Sequence, residues 1–112
     1  MSKIMFKTNI IPNTDQNTFV ASIRSTVKDK NELLSEISKT LLFPNYFGCN
    51  WDALNDCLCD LTWINEKKIL IVFESISQLD SKTQEVLLEI LNQIVQFWNT
   101  NDDIHDIEII IG

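Results

Sequence analysis

The sequence predicts a small α/β domain in which a parallel sheet is linked by helical crossovers. Two segments of strand length, Ile69-Leu70-Ile71-Val72-Phe73 and Ile107-Glu108-Ile109-Ile110-Ile111, are apolar almost throughout. Such runs suit strands that are covered on both faces, as strands of a parallel sheet are. Between and before them lie segments whose apolar residues recur at helical spacing, and strands alternating with helices indicate crossover connections. The chain has 112 residues, enough for one core but too few for two that would each stand alone.

The first segment, Ile4 to Ile11, has β-type composition and stops at Pro12. It is expected as an N-terminal edge strand. Asn13 to Gln16 is rich in turn formers, and Thr18-Phe19-Val20-Ala21-Ser22-Ile23 is the next strand candidate. Asp29 followed by Glu32 has the form of a capping box. Leu33, Leu34, Ile37, Leu41 and Leu42 then mark a first helix, which Pro44 closes because a proline pushes the residue before it out of the α region. Tyr46-Phe47-Gly48 reads as a short aromatic loop. Asn50 is a good N-cap for a second helix running to about Leu61, with Ala53, Leu54, Cys57, Leu58 and Leu61 as its apolar side. A long amphipathic helix from about Lys82 to Trp98 separates the two apolar strands.

Composition excludes several classes of function. Sixteen acids against nine bases leave a net charge of −7. That argues against direct nucleic-acid binding and against docking to an anionic membrane, and favours a basic partner. No apolar run approaches the roughly 20 residues of a membrane-spanning helix, and the N-terminus does not read as a signal peptide. The three cysteines, Cys49, Cys57 and Cys59, form no disulfide framework, so a reducing, cytoplasmic setting is expected. Cys57-Leu58-Cys59 lacks the second ligand pair of a zinc site, and the one histidine, His105, is distant in sequence. Neither a metal nor another cofactor is expected.

Chemistry is concentrated between Tyr46 and Asp60. Asp52, Asp56 and Asp60 stand at i, i+4 and i+8, which makes one stripe of like charge on a helix. Like charges at that spacing cost a few tenths of a kcal/mol per pair. The last of them also meets the unfavourable end of the helix dipole. A run of acids is ordinarily a solvated face, but a stripe that does not help the helix invites a role outside the fold. An enzyme reading is poor. Carboxylates four apart on a straight helix do not converge on one cation, Cys57 has no oriented base, and no glycine-rich phosphate loop or hydrolase motif is present. The chain is therefore expected not to be an enzyme. Tyr46, Phe47 and Trp51 lie beside the acids, and aromatic anchors with matching charges suit a protein interface. Core packing is the competing role for each aromatic, Phe47 above all.

The segment Leu42-Phe43-Pro44-Asn45-Tyr46-Phe47-Gly48-Cys49-Asn50-Trp51-Asp52-Ala53-Leu54-Asn55-Asp56-Cys57-Leu58 resembles the barstar family of intracellular ribonuclease inhibitors. Members of that family carry a proline, an aromatic pair, Gly, Asn, then Asp-Ala-Leu and Asp-Cys-Leu at this spacing. The resemblance implies a three-layer α/β fold with a three-stranded parallel sheet over residues 17–112. Residues 1–16 would be an N-terminal extension that adds an edge strand, and a few residues around Leu61 to Lys68 an insertion. It further implies inhibition of a small basic ribonuclease of the extracellular type, or of a related toxin nuclease, whose active site the aromatic loop and acidic helix would occlude. Tyr46, Gly48, Asn50, Asp52 and Asp56 match family contact positions, and Asp56 matches the acid that fills the nuclease's phosphate site. Trp51 and Asn55 within the same segment, and Asp60 two residues beyond it, complete the expected partner-binding set.

This chain also departs from the pattern. Asn55 stands where the best-known member has tryptophan, Trp51 where it has leucine, and Cys49 where it has an acid. The family's acid on the last helix falls near Asn99 or Thr100. A different toxin nuclease as partner, or a non-inhibitory interaction module, are the alternatives. The free chain is expected to be a monomer.

Overall fold

The computed structural model describes residues 3–6, 18–24, 26–43, 50–101 and 104–112. In chain order its elements are β1 (Lys3–Phe6), β2 (Thr18–Ile23), α1 (Lys30–Thr40), α2 (Trp51–Leu58), β3 (Lys68–Phe73), α3 (Ser81–Asn99) and β4 (Asp106–Ile111). The strands form one sheet in the order β1-β4-β3-β2, with every neighbouring pair parallel. The three-stranded parallel sheet β2-β3-β4 is thus present, with the N-terminal strand added beside β4. That strand is shorter than the expected segment: it covers Lys3–Phe6, and the remainder, with Pro12 and the turn formers after it, lies outside the described residues.

The strand side chains alternate between two clusters. Phe19, Ala21 and Ile23 of β2, Ile69, Ile71 and Phe73 of β3, and Ile107, Ile109 and Ile111 of β4 meet the buried residues of all three helices in the main core. Leu70, Val72 and Ile110, with Val20 packed against them, form a second cluster on the opposite face. Every residue of β3 after Lys68 is buried. Burial on both sides explains why β3 carries a run of five apolar residues instead of alternating with polar ones.

Each helix starts as its sequence demands. The Asp29 carboxylate accepts the Glu32 N–H at 2.9 Å, the Asn50 side-chain oxygen accepts the Ala53 N–H at 2.7 Å, and the Asp80 carboxylate accepts the Thr83 N–H at 3.2 Å. These caps satisfy amide groups that the first turn leaves without a partner. Beside α1, Arg24 forks onto the buried Glu36, with Nε to Oε2 at 2.6 Å and Nη2 to Oε1 at 3.2 Å. Glu36 lies on the side of α1 that turns towards the core, so the two-pronged contact supplies the hydrogen bonds it loses from water.

Two helix ends differ from the expected periodicity. Leu42 does not continue the buried stripe of α1: its φ is 57° and it is 64% exposed. Helix α2 stops at Leu58 rather than at Leu61, with Cys59 as its C-cap. Leu61 follows with φ at 50° and is fully buried. A left-handed backbone costs a non-glycine residue roughly 1–2 kcal/mol. Burial of the Leu61 side chain offsets a cost of that size.

Candidate protein-recognition site

Helix α2 turns Leu54, Cys57 and Leu58 into the core. With 100° between successive residues, Asp52 and Asp56 fall on the opposite side, and both are exposed. They stand one turn apart and form an outward acidic ridge, with side chains close enough to act on one partner surface. Trp51 and Asn55, also one turn apart, flank the ridge and are half-buried. Trp51 packs on the edge of the main core, and the ammonium of Lys30 lies 5.9 Å from its ring centre. Asn50 is exposed, and its side-chain oxygen serves the helix cap.

Asp60 does not lie on the helix, so the expected three-acid helical stripe is a two-acid ridge. It is half-buried in the turn after Cys59, and its N–H bonds to the Cys57 carbonyl at 3.1 Å. The cause is the early stop of α2 and the reversal at Leu61. Tyr46 and Gly48, the two expected contacts in the aromatic loop, lie outside the described residues, as do Phe47 and Cys49.

The C-terminal end of α2 is held by aromatic side chains from elsewhere in the chain. The Trp98 indole N–H donates to the Leu58 carbonyl at 2.7 Å. His105 places Nε2 3.0 Å from the Leu61 carbonyl and Nδ1 3.0 Å from the Glu66 carbonyl. The two rings meet edge to face at 5.2 Å. The Trp63 indole N–H donates to the Leu41 carbonyl at 2.8 Å and stacks edge-on against Phe43. Carbonyls at a helix end have no partner within the helix, and here a buried indole supplies one. The hydrogen bonds among these contacts bridge more than 20 residues of sequence, so local pattern carries no signal of them. At the end of α3, where the family's further acid would fall, Thr100 caps the helix with its hydroxyl on the Phe97 carbonyl at 2.7 Å.

Burial, reinforced by the charges of Asp60 and Asp56, holds the Cys57 thiol above the usual 9.0. Burial and Asp56 raise Cys59 likewise. Both thiols are neutral at physiological pH, the state least suited to nucleophilic attack. A raised thiol value has a definite sign in stability. The folded chain keeps the Cys57 proton where the unfolded chain begins to lose it. The resulting stabilisation is complete below about pH 9 and is lost as pH rises through the folded value. Urea midpoints measured from pH 7 to 10.5 should therefore fall on the alkaline side, and Cys57→Ala should flatten that fall. An identical slope in the variant assigns it to other groups.

Among the described residues, no three His, Cys, Asp or Glu side chains are grouped as a metal site would require. No helix of the described residues is long and apolar enough to cross a membrane. The arrangement therefore offers a carboxylate ridge on a rigid helix, flanked by one half-buried indole. A model of the barstar family, described as barnase inhibitor, matches residues 18–110, from the first residue of β2 to the penultimate residue of β4. The chain belongs to the barstar family. No curated protein matches it.

Proposed function

We propose that this protein inhibits a small basic ribonuclease by laying α2 into the nuclease's active site. The observation that carries the proposal is the placement of Asp52 and Asp56. Both are exposed and point away from the core on a helix whose other side is locked into it. Carboxylates spaced along a rigid support can occupy positions meant for substrate phosphates and pair with the cations that hold them. Asp56 takes the central position and Asp52 the second. Tyr46, Gly48, Asn50, Trp51, Asn55 and Asp60 complete the contact set around them. The chain performs no chemistry: it excludes RNA from the cleft.

In this reading the net charge of −7 draws the basic nuclease in before contact. Residues 17–112 form the recognition domain and residues 1–16 an extension. The protein acts as a cytoplasmic monomer, without cofactor, nucleic acid or membrane.

The test is RNA cleavage by barnase titrated with the purified chain. Inhibition complete at one equivalent supports the proposal, and unchanged cleavage at tenfold excess counts against barnase as target. The half-buried Asn55, in a position that is tryptophan in the best-known member, favours a second reading in which the target is a different toxin nuclease. Inhibition of another basic ribonuclease but not of barnase selects that reading. Binding without inhibition selects a non-inhibitory interaction module.

A further inference from the structure

The first residue of α1 and the first residue of α2 are in contact through a cation and an aromatic ring. Lys30 is half-buried, and its Nζ lies 5.9 Å from the Trp51 ring centre. Cations over an indole face within about 6 Å are attracted by the ring quadrupole. Because Trp51 is packed against the core, its ring gives the ammonium a fixed seat beside the first turn of α2, where Asp52 is exposed. This seat is not a charge pair, since the ammonium faces an uncharged ring. A positive charge thus stands at one end of a ridge that is otherwise acidic.

We infer that Lys30 is a selectivity residue of the recognition face, slowing any partner that is basic opposite the first turn of α2. The inference rests on the proposed binding of a basic ribonuclease through α2. Like charges brought together across an interface oppose encounter, and charges at an interface rim act mainly on the association rate and its salt dependence. Towards Asp56 the surface attracts cations. Towards Lys30 it repels them and accepts neutral or acidic groups. The face therefore passes a partner whose positive charge is confined to its phosphate site and delays one that is basic throughout. Lys30 needs no contact in the final complex to do this, because its effect extends over a Debye length, about 8 Å at physiological salt.

The test is stopped-flow association with barnase at low and at physiological ionic strength, using the full chain. Four proteins are compared: the parent chain, Lys30→Glu, Lys82→Glu and Asp56→Ala. Glutamate at the first position of α1 suits the helix dipole, so the Lys30 variant should fold normally. Lys82→Glu makes the same change in net charge in the first turn of α3, at the far end of that helix from the Trp98 contact with α2. The expected result is an association rate raised roughly three- to tenfold by Lys30→Glu at low salt, well above the effect of Lys82→Glu, with the difference shrinking at higher salt. Equal effects of the two lysine variants assign the change to net charge and overturn the selectivity role, as does a Lys30→Glu rate no faster than the parent. If Asp56→Ala binds like the parent, or if no protein of the set binds barnase, the recognition face itself is overturned for this partner, and Lys30 with it.

Discussion

Asp56→Ala is expected to weaken binding to the target ribonuclease by about 2–4 kcal/mol, the range of a central charged hot spot. Two features of the structure set this size. The side chain is exposed and opposite the buried face of α2, so nothing in the fold is lost with it. Removal also leaves the partner's cations desolvated without a counter-charge, and that penalty is the larger part of such losses. The circular-dichroism spectrum and thermal midpoint should stay close to those of the parent, because exposed substitutions away from caps and pairs usually move stability by less than about 0.5 kcal/mol. Isothermal titration against the nuclease at moderate salt reads the effect. An unchanged dissociation constant removes Asp56 from the central position. Asp52→Ala should give a smaller loss with the same salt trend, since Asp52 occupies the end of the ridge beside the Lys30 cation.

Trp98→Ala should have the largest effect on stability, about 3–5 kcal/mol, measured by urea unfolding. The indole is 2% exposed and belongs to the main core, so its removal costs transfer energy and leaves a cavity. It also leaves the buried Leu58 carbonyl without its donor, a further cost of about 1–3 kcal/mol where no water takes its place. Losses of this size approach the whole stability of a small domain, so the yield of folded protein reads the effect alongside the midpoint. Trp98→Phe separates the two causes. It keeps a six-membered ring in the site and loses the N–H together with the remaining ring atoms of the indole. A Trp98→Phe variant as stable as the parent assigns the whole cost to packing. A loss larger than about 1–2 kcal/mol, the packing cost of the deleted ring atoms, shows that the hydrogen bond to the end of α2 matters.

How legible these features are in the sequence follows from how local their causes are. Strands β3 and β4 are visible because burial on both faces forces apolar residues into consecutive positions. The start of α1 is visible because Asp29 and Glu32 are three apart and the cap contact is local. The outward placement of Asp52 and Asp56 follows from their spacing relative to Leu54, Cys57 and Leu58. The ends of α1 and α2 are misread because Leu42 and Leu61 adopt positive φ with no glycine to announce it. Both keep the helical apolar period, so the pattern runs past the true boundary and carries Asp60 with it. Contacts that fasten α2 to the rest of the domain join residues 40 and 44 positions apart, and the seat of Lys30 on Trp51 is likewise set by packing. Periodicity has no access to such pairings. The family resemblance supplies the remaining step, from an acidic ridge to a ribonuclease.

The central claim is that this ridge takes the place of substrate phosphates, and competition with a nucleotide tests it most directly. Binding of the chain to its target ribonuclease is measured with increasing concentrations of a mononucleotide that occupies the active site. Occlusion predicts an apparent dissociation constant that rises in proportion to nucleotide concentration, with no ternary complex at saturation. A constant that stays the same, with nucleotide and chain bound to the nuclease together, contradicts it.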